Sequence, residues 1–176
     1  VLRALHYIID TLVTLYQAVL LLRLLMQLTR ADFRNPIARA IVQITDPLIL
    51  PLRRILPPMG KIDSASIAAV LLISILKIWV LSLLVGFGVF SPQILLRGVA
   101  LDLIRLVLKT YLFSIILNAI LSFVAPGNYS PAQSLLASIC NPVLNPVRRY
   151  IPAVAGFDLS SLWVLIAIQA LLLVIG

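Results

Sequence analysis

The chain has 176 residues, 62% of them hydrophobic and 11% charged, with a mean hydropathy of +1.13. An ordinary soluble domain is about half apolar and about a quarter charged, so that class is excluded. Fourteen Lys and Arg against six acids, every one an Asp, give a net charge of +8, while one His and one Cys leave no material for a disulfide framework or a Cys/His zinc cluster. Cations set between long apolar runs suit anionic lipid headgroups better than nucleic acid, so lipid is the expected partner and direct nucleic-acid binding is not expected.

The first apolar run covers residues 4–28, enough to cross a hydrocarbon layer of roughly 30 Å that needs about 20 helical residues. Its length and its interruption by Asp10 and Arg23 point to a retained membrane helix, not a signal peptide. His6 and Asp10 are one turn apart, a proton-relay spacing, though headgroup contact is the simpler role for His6 so close to the interface. Asn35-Pro36 then places a capping side chain before a proline, and Asp46-Pro47 repeats the pattern, so each pair is expected to start a short helix. Ile37, Ile41, Ile44, Leu48 and Ile55 supply an apolar side and Arg39, Arg53 and Arg54 the cations, the pattern of a helix in the headgroup layer. Pro51 and Pro57 predict a kinked hairpin of half-helices. Asp63, three residues before Ser66, is the expected cap of the second span, 67–90, which carries Lys77.

A third span, 99–124, contains Asp102, Arg105 and Lys109 on one helix face and Ser114, Asn118 and Ser122 at four-residue spacing. A second proline-rich segment with Pro142, Pro146, Pro152 and the pair Arg148-Arg149 follows, then Asp158 as a cap and a fourth span, 157–176.

Sliding the sequence on itself by 95 positions aligns the two halves without a gap, Tyr16 on Tyr111 and Pro36 on Pro131. Between residues 44–66 and 139–161, eight of 23 positions are identical: Ile44, Pro47, Pro51, Arg53, Arg54, Pro57, Asp63 and Ser66. Such self-similarity is the signature of a duplicated unit. The expected fold is all-α integral membrane, four transmembrane helices in two repeats of span, amphipathic kinked hairpin, span: residues 1–91 with motif loop 35–63, and 92–176 with motif loop 130–158. Two crossings per unit return the chain to its starting side, so the repeats are parallel and both motif loops emerge on one face. That face carries eight Lys and Arg against two, Arg3 and Arg97, on the other, which puts the motif loops in the cytoplasm and the termini in the periplasm.

The Arg pairs have two readings, as anchors on anionic lipid worth about 1 kcal/mol per residue, or as forks for a dedicated phosphate ligand. Arg39, Arg53, Arg54, Arg148 and Arg149 are accordingly the candidates for binding lipid or a partner. Ionisable groups inside spans are functional candidates by default. Asp10, Lys77, Asp102, Arg105 and Lys109 can meet in the outer half of the layer, with Arg23 and Asn118 superposed by the repeat in the inner half. They line a polar pathway or form a buried ion-pair network that fixes helix register. A Gly-rich phosphate cradle, a helical HExxH and a nucleophile elbow are all missing from the sequence, so no enzyme, cofactor or metal site is expected.

The run LYQAVLLLRLLMQ at 15–27, the Asn35-Pro36 pair and the twice-occurring order of Asp-Pro, Pro-x-Arg-Arg and Pro-x-x-Gly elements, in full DPLILPLRRILPPMGKIDSAS, resemble the YggT family of small integral membrane proteins from bacteria and plastids. The second copy departs from the pattern at Asn141 and Ala155. The resemblance implies a bacterial inner membrane location and links to osmotic-stress tolerance and potassium uptake, or in photosynthetic lineages to cytochrome assembly and division, without a shared biochemical activity. Two functions follow as expectations. One is a non-enzymatic organiser or assembly factor that grips anionic lipid and other inner-membrane proteins, with a homo-oligomer as a further option. The other is a channel or transporter subunit for potassium, protons or a small solute.

Overall fold

The computed structural model describes residues 2–57, 63–85, 91–124, 130–150 and 159–176. The described residues form six helices: α1 (Leu2–Leu28), α2 (Pro36–Ile55), α3 (Ser64–Val85), α4 (Pro92–Val124), α5 (Pro131–Arg148) and α6 (Leu159–Ile175). Three of them, α1, α3 and α4, are long and apolar enough to cross a membrane. No more than 28% of the most apolar stretch of any of the three is buried, and Leu12, Leu15, Leu72, Trp79, Phe113 and Leu117 point outward. Helices apolar all round need an apolar surrounding, and here the protein itself does not provide it. α6 is equally apolar but has 17 residues, about 26 Å of helix.

α4 begins at Pro92, seven residues before the span expected from hydropathy, and its 33 residues extend for about 50 Å. Ser91 precedes Pro92, and its carbonyl accepts from Ile94 N and Leu95 N, so the chain enters the helix with a cap-type residue and a proline at the first helical position. Arg97 and Gly98 are therefore helical and not part of a loop.

The expectation of a kinked hairpin is corrected in α2. Pro47 and Pro51 lie inside one continuous helix, and the helix ends at Ile55, just before Pro57. Gln43, Pro47 and Pro51 recur at four-residue spacing and are all exposed. The carbonyls that lose their donors, those of residues 43 and 47, thus fall on the outer side, where an external donor can reach them. Ala38, Ile41, Thr45 and Ile49 form the buried face opposite, with a helical period that runs straight through the prolines. α5 repeats the device with exposed Pro142 and Pro146 and buried Leu135, Ile139, Cys140 and Leu144.

The two shorter amphipathic helices are capped alike. Asn35 Oδ1 accepts from Ile37 N at 2.9 Å, and Ser130 Oγ accepts from Gln133 N at 3.1 Å, each directly before a proline. α1 closes with Ala31 N bonded to Met26 O at 2.9 Å and Arg30 N to Gln27 O at 3.2 Å, a Schellman motif in which Arg30 takes φ 54°. Glycine adopts that backbone freely and arginine does not, so Arg30→Gly is expected to raise stability by about 1 kcal/mol, read from the thermal midpoint in detergent.

Packing divides the chain into two compact units that each draw on both sequence halves: Val1–Leu24 with Ile41–Val107, and Leu25–Ala40 with Leu108–Gly176. In the first, Leu20, Leu21, Ile41, Ile49, Ala65, Ala69, Val70 and Val99 are buried. The second is centred on Ile115 of α4, Cys140 and Leu144 of α5, and Val164 and Ile168 of α6. In this unit Asn35 Nδ2 donates to Pro131 O at 2.6 Å and Ser134 Oγ at 3.2 Å, fastening the start of α2 to the start of α5.

Candidate functional site

Polar side chains inside the apolar helices of the first unit gather at one node. Asp10, Thr14 and Gln17 follow each other at steps of four and three and share a face of α1, while Ser74 and Lys77 are three apart on α3. Lys77 is 5% exposed and its ammonium pairs with Asp102 of α4, lies 3.8 Å from Asp10 Oδ1 and donates to Thr14 Oγ1 at 3.3 Å. The fully buried Gln17 donates through Nε2 to Ser74 Oγ at 2.7 Å and to Asp102 Oδ2 at 3.3 Å. One lysine and one glutamine thereby tie α1, α3 and α4 together. Ionised groups at such depth are tolerated because they face each other.

A second node joins α1 to α2. Arg23, 3% exposed, donates from Nη1 to Thr45 Oγ1 at 2.6 Å, Asp46 Oδ1 at 2.7 Å and Val42 O at 3.2 Å. Thr45 Oγ1 in turn donates a hydrogen bond to Ile41 O at 2.7 Å. Asp46 was expected to cap a helix; it instead sits within α2 and serves as the counter-ion of Arg23. The reason is the unbroken apolar period on either side of it, which keeps the chain helical through Pro47.

A third node links the end of α2 to the start of α3. Asp63 immediately precedes α3, with its carbonyl accepting from Ser66 N at 3.0 Å and Ile67 N at 3.2 Å. Its carboxylate accepts from Arg53 Nη2 at 2.5 Å and Ser66 Oγ at 2.8 Å. The hydrogen bond to Asp63 holds the Arg53 guanidinium above its ordinary pKa, against the opposing effect of burial, so it is charged at every physiological pH.

The remaining candidates are distributed differently. Arg105 is half-buried one turn beyond Asp102, and Lys109 is exposed with no ion pair among the described residues. Asn118 is half-buried in the second unit. The proposed pathway set is thus brought together only at Asp10, Lys77 and Asp102, with Arg23 engaged at a separate node. Of the arginines assigned to lipid or partners, Arg39, Arg54 and Arg149 are exposed, whereas Arg53 is held by Asp63, and Arg148 donates to Asn141 Oδ1 at 3.0 Å and Asn145 Oδ1 at 3.3 Å. Asp158 lies outside the described residues. Among the described residues no group of three His, Cys, Asp or Glu side chains is placed to hold a metal ion.

Thr14, Gln17, Ser74 and Thr45 were not among the sequence-derived candidates. Their signal was the polar face formed by residues 10, 14 and 17 in an otherwise apolar helix, matched by 74 and 77 on the next. The shift of 95 also sets Arg23, Thr45 and Asp46 on Asn118, Cys140 and Asn141. Both members of an ion pair are replaced together by neutral amides.

Cys140 is fully buried and its thiol is pushed up to about 11 by burial. Only thiolate reacts with maleimide. Labelling of the folded protein at pH 8 is therefore expected to run at least about 100-fold slower than in denaturant, from the thiolate fraction alone; equal rates would show an accessible thiol.

Crossing-length helices fastened to one another by buried ion pairs, with proline-bearing amphipathic helices between them, define an all-helical protein built for an apolar surrounding. The chain belongs to the CCB3/YggT family, whose family model matches residues 2–84 and 98–176. It is 41% identical over 165 residues to an uncharacterized protein of Pseudomonas aeruginosa, covering 93% of this chain and 83% of that one. A Vibrio alginolyticus protein described as lying in the proC 3′ region is 39% identical, covering 94% and 90%. YggT of Escherichia coli K12 is 38% identical over 158 residues, covering 90% and 81%. No solved structure matches the chain significantly.

Proposed function

We propose that the chain is a non-enzymatic organiser of the bacterial inner membrane that crosses it four times as two parallel repeats, motif helices cytoplasmic and termini periplasmic. In this reading it holds anionic lipid and partner membrane proteins on α2 and α5. The observation that carries the reading is the outer surface of α2. Ile37, Ile44, Pro47, Pro51 and Ile55 make an exposed apolar stripe, and Arg39 and Arg54 lie along its polar flank. A helix so divided rests in the interface with its stripe in the acyl boundary and its arginines among headgroups. Exposed Pro142, Pro146 and Arg149 give α5 the same outline. The charges of Lys77, Asp10 and Asp102 satisfy one another, which favours a structural role over conduction.

The test is reversal of the three exposed arginines, Arg39→Glu, Arg54→Glu and Arg149→Glu together, in the full chain. Insertion and thermal stability stay near wild type while co-purifying anionic lipid, captured membrane proteins and growth under osmotic stress all fall. Unchanged lipid, partners and growth in an inserted variant refute the organiser. Maleimide labelling of Arg54→Cys and Arg149→Cys reports sidedness, and labelling from opposite sides ends the parallel arrangement.

A further inference from the structure

α1 and α3 leave a groove between them that has a different chemistry at its end from that along its length. At the N-terminal end of α1, Leu2, Arg3, His6 and Leu84 line an open pocket of about 470 Å³. Further along, a cavity of about 340 Å³ is walled by Ile9, Val13 and Tyr16 from α1 and by Ile73, Val80 and the methylene stem of Lys77 from α3. Residues 2, 6, 9, 13 and 16 step by four and three along one stripe of α1, and 84, 80, 77 and 73 do the same along α3, so the two cavities are successive parts of one groove.

We propose that this groove binds one anionic glycerophospholipid, with its phosphodiester on Arg3 and His6 and an acyl chain laid between α1 and α3. The inference rests on the membrane-spanning reading above and concerns a site distinct from α2 and α5. Three features select this occupant. The mouth carries a guanidinium, which matches phosphate oxygens with paired donors, and an imidazole beside it. The walls beyond it are hydrocarbon, because the Lys77 ammonium is turned inward to Asp102 and Asp10 and only its stem faces the groove. From His6 to Tyr16 the groove extends about 15 Å at 1.5 Å per residue, the depth of one leaflet in a hydrocarbon core of roughly 30 Å. A molecule charged at one end and apolar along the rest fits this gradient; a neighbouring transmembrane helix, apolar throughout, leaves the two basic groups without use.

Native mass spectrometry of the full chain, titrated with phosphatidylglycerol and separately with phosphatidylcholine, tests the site. Wild type is expected to retain, beyond the anionic lipid held on α2 and α5, one tightly bound phosphatidylglycerol that phosphatidylcholine does not displace. Arg3→Ala with His6→Ala lowers phosphatidylglycerol affinity at least tenfold and leaves phosphatidylcholine unchanged. Val13→Trp, which fills the groove but keeps the basic mouth, loses the lipid as well, and Val80→Phe gives the same result from the opposite wall should the first variant not fold. Equal phosphatidylglycerol affinity in the Arg3/His6 variant overturns the proposal, as does displacement of the lipid by glycerol phosphate, or a homodimer that only the groove-filling variants dissolve. The Arg39/Arg54/Arg149 reversal is expected to leave this lipid in place, and loss in that variant also overturns the proposal. Protease protection in liposomes is read in parallel. An unprotected chain refutes the spanning reading, whereas an inserted chain without lipid selectivity refutes the groove alone.

Discussion

Lys77→Met lowers the stability of the protein by about 3–5 kcal/mol, the cost of leaving a buried carboxylate without its counter-ion. The side chain is nearly isosteric, so packing changes little and the effect is electrostatic. Asp102, 18% exposed, loses its ion pair and keeps only the weak Gln17 contact at 3.3 Å, while Asp10, 46% exposed, is nearer solvent and loses less. The double variant Lys77→Met with Asp102→Asn is expected to recover most of the loss, because a neutral amide satisfies Gln17 without demanding a cation. Asp10→Asn alone changes stability by about 1 kcal/mol or less, as a partly exposed partner at 3.8 Å should. Thermal unfolding in detergent, followed by circular dichroism, checks all three. A Lys77→Met variant as stable as wild type would show that the node is not holding the helices.

Arg23→Ala has the next largest effect, about 3 kcal/mol, because it removes a buried partner of an ion pair and strands the polar groups that faced it. Three acceptors on α2 depend on one Nη1 atom, so the loss is expected to appear as faster amide hydrogen exchange throughout residues 41–55 and not merely as a lower midpoint. The chain carries its own control. Its second copy has Asn118, Cys140 and Asn141 where the first has Arg23, Thr45 and Asp46. The combined replacement Arg23→Asn, Thr45→Cys and Asp46→Asn is thus expected to be more stable than Arg23→Ala, since no buried charge is left alone. A triple variant worse than the single one would mean that the neutral set requires surroundings found only in the second copy.

The prolines show how much the sequence could reveal. Six dipeptides share the form of a cap-type residue before proline: Asn35-Pro36, Asp46-Pro47, Ser91-Pro92, Ser130-Pro131, Asn141-Pro142 and Asn145-Pro146. Three open a helix, one lies inside α2 and two lie inside α5. The dipeptide does not separate the cases, but the buried face does, since Ala38, Ile41, Thr45 and Ile49 continue one through Pro47 and Leu135, Ile139, Cys140 and Leu144 another through Pro142, whereas Pro36, Pro92 and Pro131 stand first in their helices. Apolar runs likewise located α1 and α3 to within a few residues, but Arg97 and Gly98 concealed the first two turns of α4. At the site, depth along the spans was enough to place Asp10, Lys77 and Asp102 in the same half of the layer. Gln17 and Ser74 were not distinguishable from serines that bond their own helix backbone, as Ser82 does to Trp79 O. Which neutral polar group reaches across to another helix depends on rotation about the helix axis, and hydropathy carries no information on that angle.

Three helices that share one ammonium also impose a schedule on biogenesis. In the membrane-spanning reading proposed above, Asp10 enters the lipid first, Lys77 after it and Asp102 last, each charge being worth about 2.5–3.5 kcal/mol against insertion at a helix centre. The first carboxylate finds a cation only when α3 arrives, and the balance of the set is complete only with α4. On that reading α1 has to stay within reach until both later helices have been delivered, and a nascent chain that ends before residue 92 holds Asp10 and Lys77 without Asp102.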